Sequence, residues 1–92
     1  MATTTMLIRH RVADYPAWRA GYDSVEDLRQ QHGCFGAEVL VDPADHQDVL
    51  VLHRFPTLEQ AQAFAGSDQL HQAMTRAGVD LAAYRIELAV EA

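Results

Sequence analysis

The chain carries its own first half a second time. Met6-Leu7-Ile8-Arg9-His10-Arg11-Val12 and Val49-Leu50-Val51-Leu52-His53-Arg54-Phe55 are both strongly β-prone, and each ends in His-Arg followed by a large apolar residue. The offset of 43 positions persists beyond the strand and lays Asp14 on Thr57. Both are N-cap residues, whose side-chain oxygen can accept an orphan helix N–H. Thr57 has Gln60 three residues on, a capping-box spacing. Pro16 falls in the first turn of its helix, where a missing N–H does no harm. Strand, cap and helix are thus written twice.

The first helix is expected from about Tyr15 to Gln31. Tyr15, Trp18, Tyr22, Val25 and Leu28 recur at spacings of three and four and share a face, while Arg19, Asp23, Glu26, Asp27 and Arg29 fall mostly opposite. Gly33 supplies the stop. The second helical region starts at Leu58 and is interrupted at Gly66-Ser67-Asp68, with Ser67 as a fresh cap. It resumes through Leu70, Ala73, Met74 and Ala77 until Gly78, as two short helices or one bent one. Phe35 to Val41 leads through Asp42-Pro43-Ala44-Asp45-His46 into Val49 to Phe55, a hairpin. Ala83 to Val90 alternates as a last strand. The order βαββαβ is the ferredoxin-like α+β arrangement, with a four-stranded, antiparallel-type sheet. Its first and third strands are expected side by side and parallel in the middle, joined through right-handed crossovers.

Composition bounds the function classes. Ninety-two residues make one domain, 1–92, and 49% hydrophobic content excludes disorder. No run approaches the roughly 18 apolar residues of a membrane helix, so no membrane partner is expected. Thirteen acids against seven bases give a net charge of −6, which argues against nucleic acid, where Lys and Arg neutralise phosphates. Met1-Ala2-Thr3-Thr4-Thr5-Met6 has no basic and apolar leader, and the lone Cys34 can form no intrachain disulfide. Cys34 has no neighbouring base in sequence and reads as an inert thiol. A cytoplasmic location is expected.

Alternation splits the sheet into two faces. Met6, Ile8, His10 and Val12, with Val49, Val51, His53 and Phe55, form the face the helices cover. The other carries Leu7, Arg9, Arg11, Leu50, Leu52 and Arg54, flanked by Glu38, Leu40, Arg85 and Glu87. Four leucines across adjacent strands make an association surface. A domain this small is marginal alone, so a homodimer packed sheet against sheet is expected, with Arg–Glu pairs around the leucines. A monomer with a half-wet sheet is the alternative.

The opening His10-Arg11-Val12-x-Asp14-Tyr15-x-x-Trp18 and the later Phe64-x-x-Ser67-x-x-Leu70-x-x-Ala73-Met74-x-x-Ala77-Gly78-Val79 resemble the dimeric α/β-barrel superfamily. Within it, the chain is similar to the antibiotic biosynthesis monooxygenases and related stress-responsive barrel proteins. The resemblance covers nearly the whole chain and implies two sheets packed as a dimeric α/β barrel. It also implies chemistry without a bound cofactor on an aromatic or polyketide-like substrate, although the superfamily includes cyclases, isomerases, haem-degrading enzymes and proteins with no known reaction. The cofactor-independent oxygenases of the family are associated with an Asn, Trp and Arg set. This chain has no Asn, so the amide is missing unless Gln69 or Gln72 substitutes.

His10 and His53 occupy equivalent repeat positions on the helix-covered face. On parallel neighbouring strands about 4.8 Å apart the two imidazoles would meet in one cavity. Either could act there as general base on an acidic C–H or phenol, since histidine titrates near neutrality; the structural alternative is two core-edge histidines. Trp18 and Tyr22 are read as a flat wall for a ring, completed by Phe64, Met74, Ile8 and Val51, or else as simple core. His71, on the second helical region, is included as a binding residue; the resemblance places a haem-degrading relative's axial ligand there, while a surface histidine is the plain alternative. The histidines lack a metal-ligand spacing, so neither metal nor cofactor is expected. The function expected is therefore a monooxygenase or cyclase with His10 and His53 catalytic and Trp18, Tyr22, Phe64, His71 and Met74 substrate-binding. The alternatives are a non-catalytic ligand-binding or stress-response barrel and a structural dimer with a filled core.

Overall fold

The structure, a computed structural model, describes residues 3–80 and 82–92. The elements run β1 (Thr4–Arg11), α1 (Tyr15–Ser24), α2 (Glu26–Gln31), β2 (Gly36–Asp42), β3 (Asp45–Phe55), α3 (Leu58–Ala65), α4 (Asp68–Arg76) and β4 (Arg85–Val90). The duplication read from the sequence is thus present element by element, each half being strand, helix pair, strand. The fold is ferredoxin-like, with one sheet in the order β2-β3-β1-β4.

Every neighbouring pair in that sheet is antiparallel, including β1 with β3. The expectation of parallel central strands is therefore wrong. The crossover through α1 and α2 makes β1 parallel to β2, but β2 is not its neighbour. The hairpin sends β3 back between them, and β3 runs against both. Pro43 and Ala44 turn this hairpin, with Ala44 N–H donating to Asp42 Oδ1 at 2.8 Å.

Thr4, Met6, Ile8 and His10 are buried at alternate positions of β1, as are Val49, Val51, His53 and Phe55 in β3. These residues face the helices, as the alternation predicts. Ala61 and Phe64 of α3 and Leu70, Ala73 and Met74 of α4 close the core from above. Thr57 Oγ1 accepts from Gln60 N–H at 3.2 Å and Ser67 Oγ from Leu70 N–H at 3.4 Å, so both predicted caps form. Asp14 is extended at its N-cap position but makes no side-chain cap bond, contrary to the sequence expectation.

The first helical region also departs from expectation, because it breaks at Val25 (φ −110°, ψ 25°) instead of running unbroken to Gln31. Ser24 Oγ donates to Gly21 O at 2.7 Å, competing with the backbone ladder just before a β-branched residue. Gly33, at φ +83°, closes α2 in the left-handed region that favours glycine. On the uncovered face Leu7 pairs with Leu52 and Leu40 with Leu50. Ion pairs surround them: Arg9–Asp48, Arg11–Asp45, Arg54–Glu38 and Arg85–Glu87, at 2.6–3.0 Å.

Candidate functional site

The side chains under the helices form a continuous aromatic ladder. Trp18 and Tyr22 lie one turn apart on α1 and stack with centroids 5.1 Å apart. Trp18 meets the His10 ring at 5.4 Å, and Tyr22 lies near-parallel to His53 with centroids 5.9 Å apart. The Tyr22 hydroxyl and His53 Nε2 share a hydrogen bond of 2.8 Å. Phe64 closes this end edge-on to His53, centroids 5.5 Å apart.

A hollow of about 40 Å³ runs along the ladder. Its walls are mostly apolar, with Ile8, Val51, Leu28, Leu70 and Met74 among them, and His10, His53, Trp18, Tyr22 and Phe64 all line it. Such a volume holds a few waters and falls well short of the roughly 300–1,000 Å³ of drug-sized clefts, so a ring enters only if side chains or α2 give way. Gly21 also lines it; a Cβ there would sit 3.2 Å from Ala77 Cβ, so glycine permits α1 to lie close to the end of α4.

The antiparallel pairing relocates the two imidazoles. His10 lies opposite Val49 and His53 opposite Met6, four residues apart along the pair, or about 13 Å at ~3.3 Å per residue. They share one face and one hollow but do not meet, contrary to the expectation from parallel strands. They stand at opposite ends of the ladder. The twofold relation of the two halves requires this, since it exchanges the ends of β1 and β3.

Both rings are buried, His10 at 4% and His53 at 2% exposure. Neither nitrogen of His10 has a hydrogen-bond partner among the described residues, nor does Nδ1 of His53. Burial pushes the His10 imidazole down to about 4, the Asp48 carboxylate opposing only weakly. Burial also takes His53 down to about 4, helped by the positive charge of Arg29. Both rings are therefore neutral at pH 7. The Tyr22 phenol is raised, by burial first, with Arg29 working the other way.

Arg29 is a residue that sequence reasoning placed on the wrong face. It is buried, lines the hollow and rests its guanidinium 4.0 Å from the Tyr22 ring centroid. Its position continues the spacing Tyr15, Trp18, Tyr22, Val25, Arg29, in steps of three and four, so a signal existed but was overridden by its charge. Conversely, His71 is half-buried and does not line the hollow, because it sits beside the inward stripe of Leu70, Ala73 and Met74. Gln69 and Gln72 are exposed and line an outer groove between α2 and α4, so neither presents an amide to the hollow. Cys34 donates to Gly36 O at 3.2 Å. Among the described residues no cluster of three or more His, Cys, Asp or Glu is placed to hold a metal, and no helix is long and apolar enough to cross a membrane.

A ferredoxin-like domain with an aromatic chamber roofed by helix pairs is the class this geometry defines. Residues 14–76, from the N-cap of α1 to the end of α4, match the family model for antibiotic biosynthesis monooxygenase, and the chain belongs to that family. Among solved structures, a protein from Bordetella bronchiseptica assigned to the same family superposes with a TM-score of 0.82 at 11% identity, over 100% of this chain and 99% of that one. One from Caulobacter crescentus, assigned likewise, gives 0.77 at 14% identity, over 99% and 91%. SnoaB, a cofactor-independent oxygenase from Streptomyces nogalater, gives 0.73 at 8% identity, over 100% and 93%. At such identities the likeness speaks for the fold alone. A comparison with curated proteins found none that matches in sequence.

Proposed function

We propose that the chain is a small-molecule enzyme of the monooxygenase or cyclase type, acting without a bound cofactor on an aromatic or polyketide-like substrate held along the Trp18–Tyr22 wall. The observation that carries this reading is the ladder itself, in which two neutral imidazoles end a run of aromatic rings inside a mostly apolar hollow. A buried imidazole nitrogen without a partner costs on the order of 1–3 kcal/mol. A ligand hydroxyl or acidic C–H at that nitrogen removes the cost. His10, with neither nitrogen partnered among the described residues, contacts such a group directly; His53 does so at its unpartnered Nδ1, while its Nε2 is held by the Tyr22 hydroxyl.

The proton affinity of the rings sets the terms of the chemistry. A base of about 4 is poorly matched to neutral pH. Transfer becomes favourable when the substrate anion remains beside the imidazolium, because an ion pair in a water-poor chamber supports both charges. In the monooxygenase case the carbanion so formed reduces O₂ supplied as co-substrate: a C–O bond forms as a hydroperoxide, the O–O bond then breaks, and loss of water leaves the ketone or quinone.

The second reading, a non-catalytic ligand-binding or stress-response barrel, is favoured by the same weak basicity and by the small hollow. Turnover of a quinol or anthrone by wild type, His10→Gln and His53→Gln separates the two. Loss of turnover of about 100-fold or more in a folded variant supports the base assignment. Wild-type rates in both variants overturn it, and ligands that raise the melting temperature without being consumed favour the binding protein.

A further inference from the structure

All seven basic residues of the chain are arginines. Arg9, Arg11, Arg19, Arg54 and Arg85 each have a carboxylate within 4.0 Å, and Arg76 is exposed to water. Arg29 differs from all of them. It is 8% exposed, yet among the described residues it has no carboxylate partner. Its hydrogen bond is from Nη1 to the Tyr22 carbonyl, at 2.9 Å, which leaves most of its five donors uncommitted. Asp23 and Glu26 share an outer groove with it, but Asp23 is engaged by Arg19 at 3.1 Å.

Taking a cation out of water is costly unless an anion answers it. The Tyr22 ring, 4.0 Å below the guanidinium, offsets only part of that through a cation–π contact. Apart from His10, His53 and the Tyr22 hydroxyl the rest of the chamber wall is apolar, and no carboxylate lines it to offer a counter-charge. We propose that the missing counter-charge belongs to the ligand: the chamber takes an organic oxyanion on a flat apolar body, with its charged oxygen at Arg29 and its ring along Trp18. This rests on the reading above that a ligand enters the chamber, and it adds the charge and the orientation of that ligand. An ionised phenol or enol and an aromatic carboxylate share this chemistry. Charge-assisted contacts of this kind are about twice as strong as neutral ones.

Trp18 is the sole tryptophan and lies on the chamber wall, so its fluorescence reports occupancy. Nitroaromatic probes quench it on binding. At pH 8 the wild-type protein should bind 4-nitrophenolate about tenfold or more tightly than 4-nitroanisole, its methyl ether, which cannot ionise. Arg29→Met should remove that preference while retaining 4-nitroanisole, and Arg29→Lys should keep part of it. Urea unfolding without ligand should find Arg29→Met as stable as wild type or more so, since an unanswered buried charge has been removed. A 4-nitrobenzoate titration tells a carboxylate from a ring oxygen. Equal affinity of wild type for 4-nitrophenolate and 4-nitroanisole overturns the inference and leaves the aromatic chamber intact. A preference that survives in Arg29→Met also overturns it. Absence of quenching by every probe overturns both this inference and the reading on which it rests.

Discussion

At the scale of single residues, the two buried imidazoles dominate the pH response. Each has a proton affinity near 4 in the folded chain against an ordinary 6.5. The unfolded chain therefore binds more protons in that interval, and each ring's contribution is complete above about pH 6.5 and is lost as pH falls toward 4. Every tenfold difference in proton affinity is worth about 1.4 kcal/mol. Urea titrations at pH 7.5, 5.5 and 4.5 should show stability falling by several kcal/mol in total, and His53→Gln should flatten the slope. His10, His53, Trp18, Tyr22, Phe64 and Met74 were legible as chamber residues because period-two and period-3.6 patterns assign faces directly. Arg29 was not, because charge usually marks a solvated face and the pattern that includes it was discounted. His71 lies outside the lining of the hollow, since a histidine next to an apolar stripe need not share its direction.

At the scale of elements, the helix pairs are held by short polar caps more than by length. Helices of six to ten residues are marginal by themselves, so their ends carry much of their definition. Ser67→Ala should cost about 0.5–2 kcal/mol in urea unfolding, through loss of the bond to the Leu70 amide. Because Leu70 and Met74 belong to the chamber wall, the same variant should also shift Trp18 emission. The break at Gly66-Ser67-Asp68 was readable from its Gly and Ser, whereas the break at Val25 carries neither glycine nor proline and depends on where Ser24 turns its hydroxyl. Strand order followed from the βαββαβ succession. The direction of β3 relative to β1 is set by the hairpin, which no local pattern encodes, and it places the two histidines at opposite ends of the ladder.

For the whole molecule, the uncovered sheet face is the outstanding surface. Leu7, Leu50 and Leu52 are half-buried and Leu40 is 46% exposed, ringed by charges that already pair within the chain. We propose that a second copy covers this patch through the same face. Leu52→Asp should then give a monomer in sedimentation equilibrium where wild type sediments as a dimer; wild type sedimenting as a monomer at micromolar concentration removes the proposal. The sequence exposed this patch clearly, since leucines out of phase with the core have no other burial. It was silent on the helix side of β4, where Leu88 and Val90 remain 36% and 54% exposed beyond the reach of the helix layer.

The chamber opens among helices on one side of the pleat, and the leucines lie on the other. Two protomers joined back to back by their sheets, about 10 Å apart, would hold their chambers on the outer flanks of the assembly. Each would admit and release its guest through its own doorway, with no wall in common, so the pair would serve two guests as independent hosts.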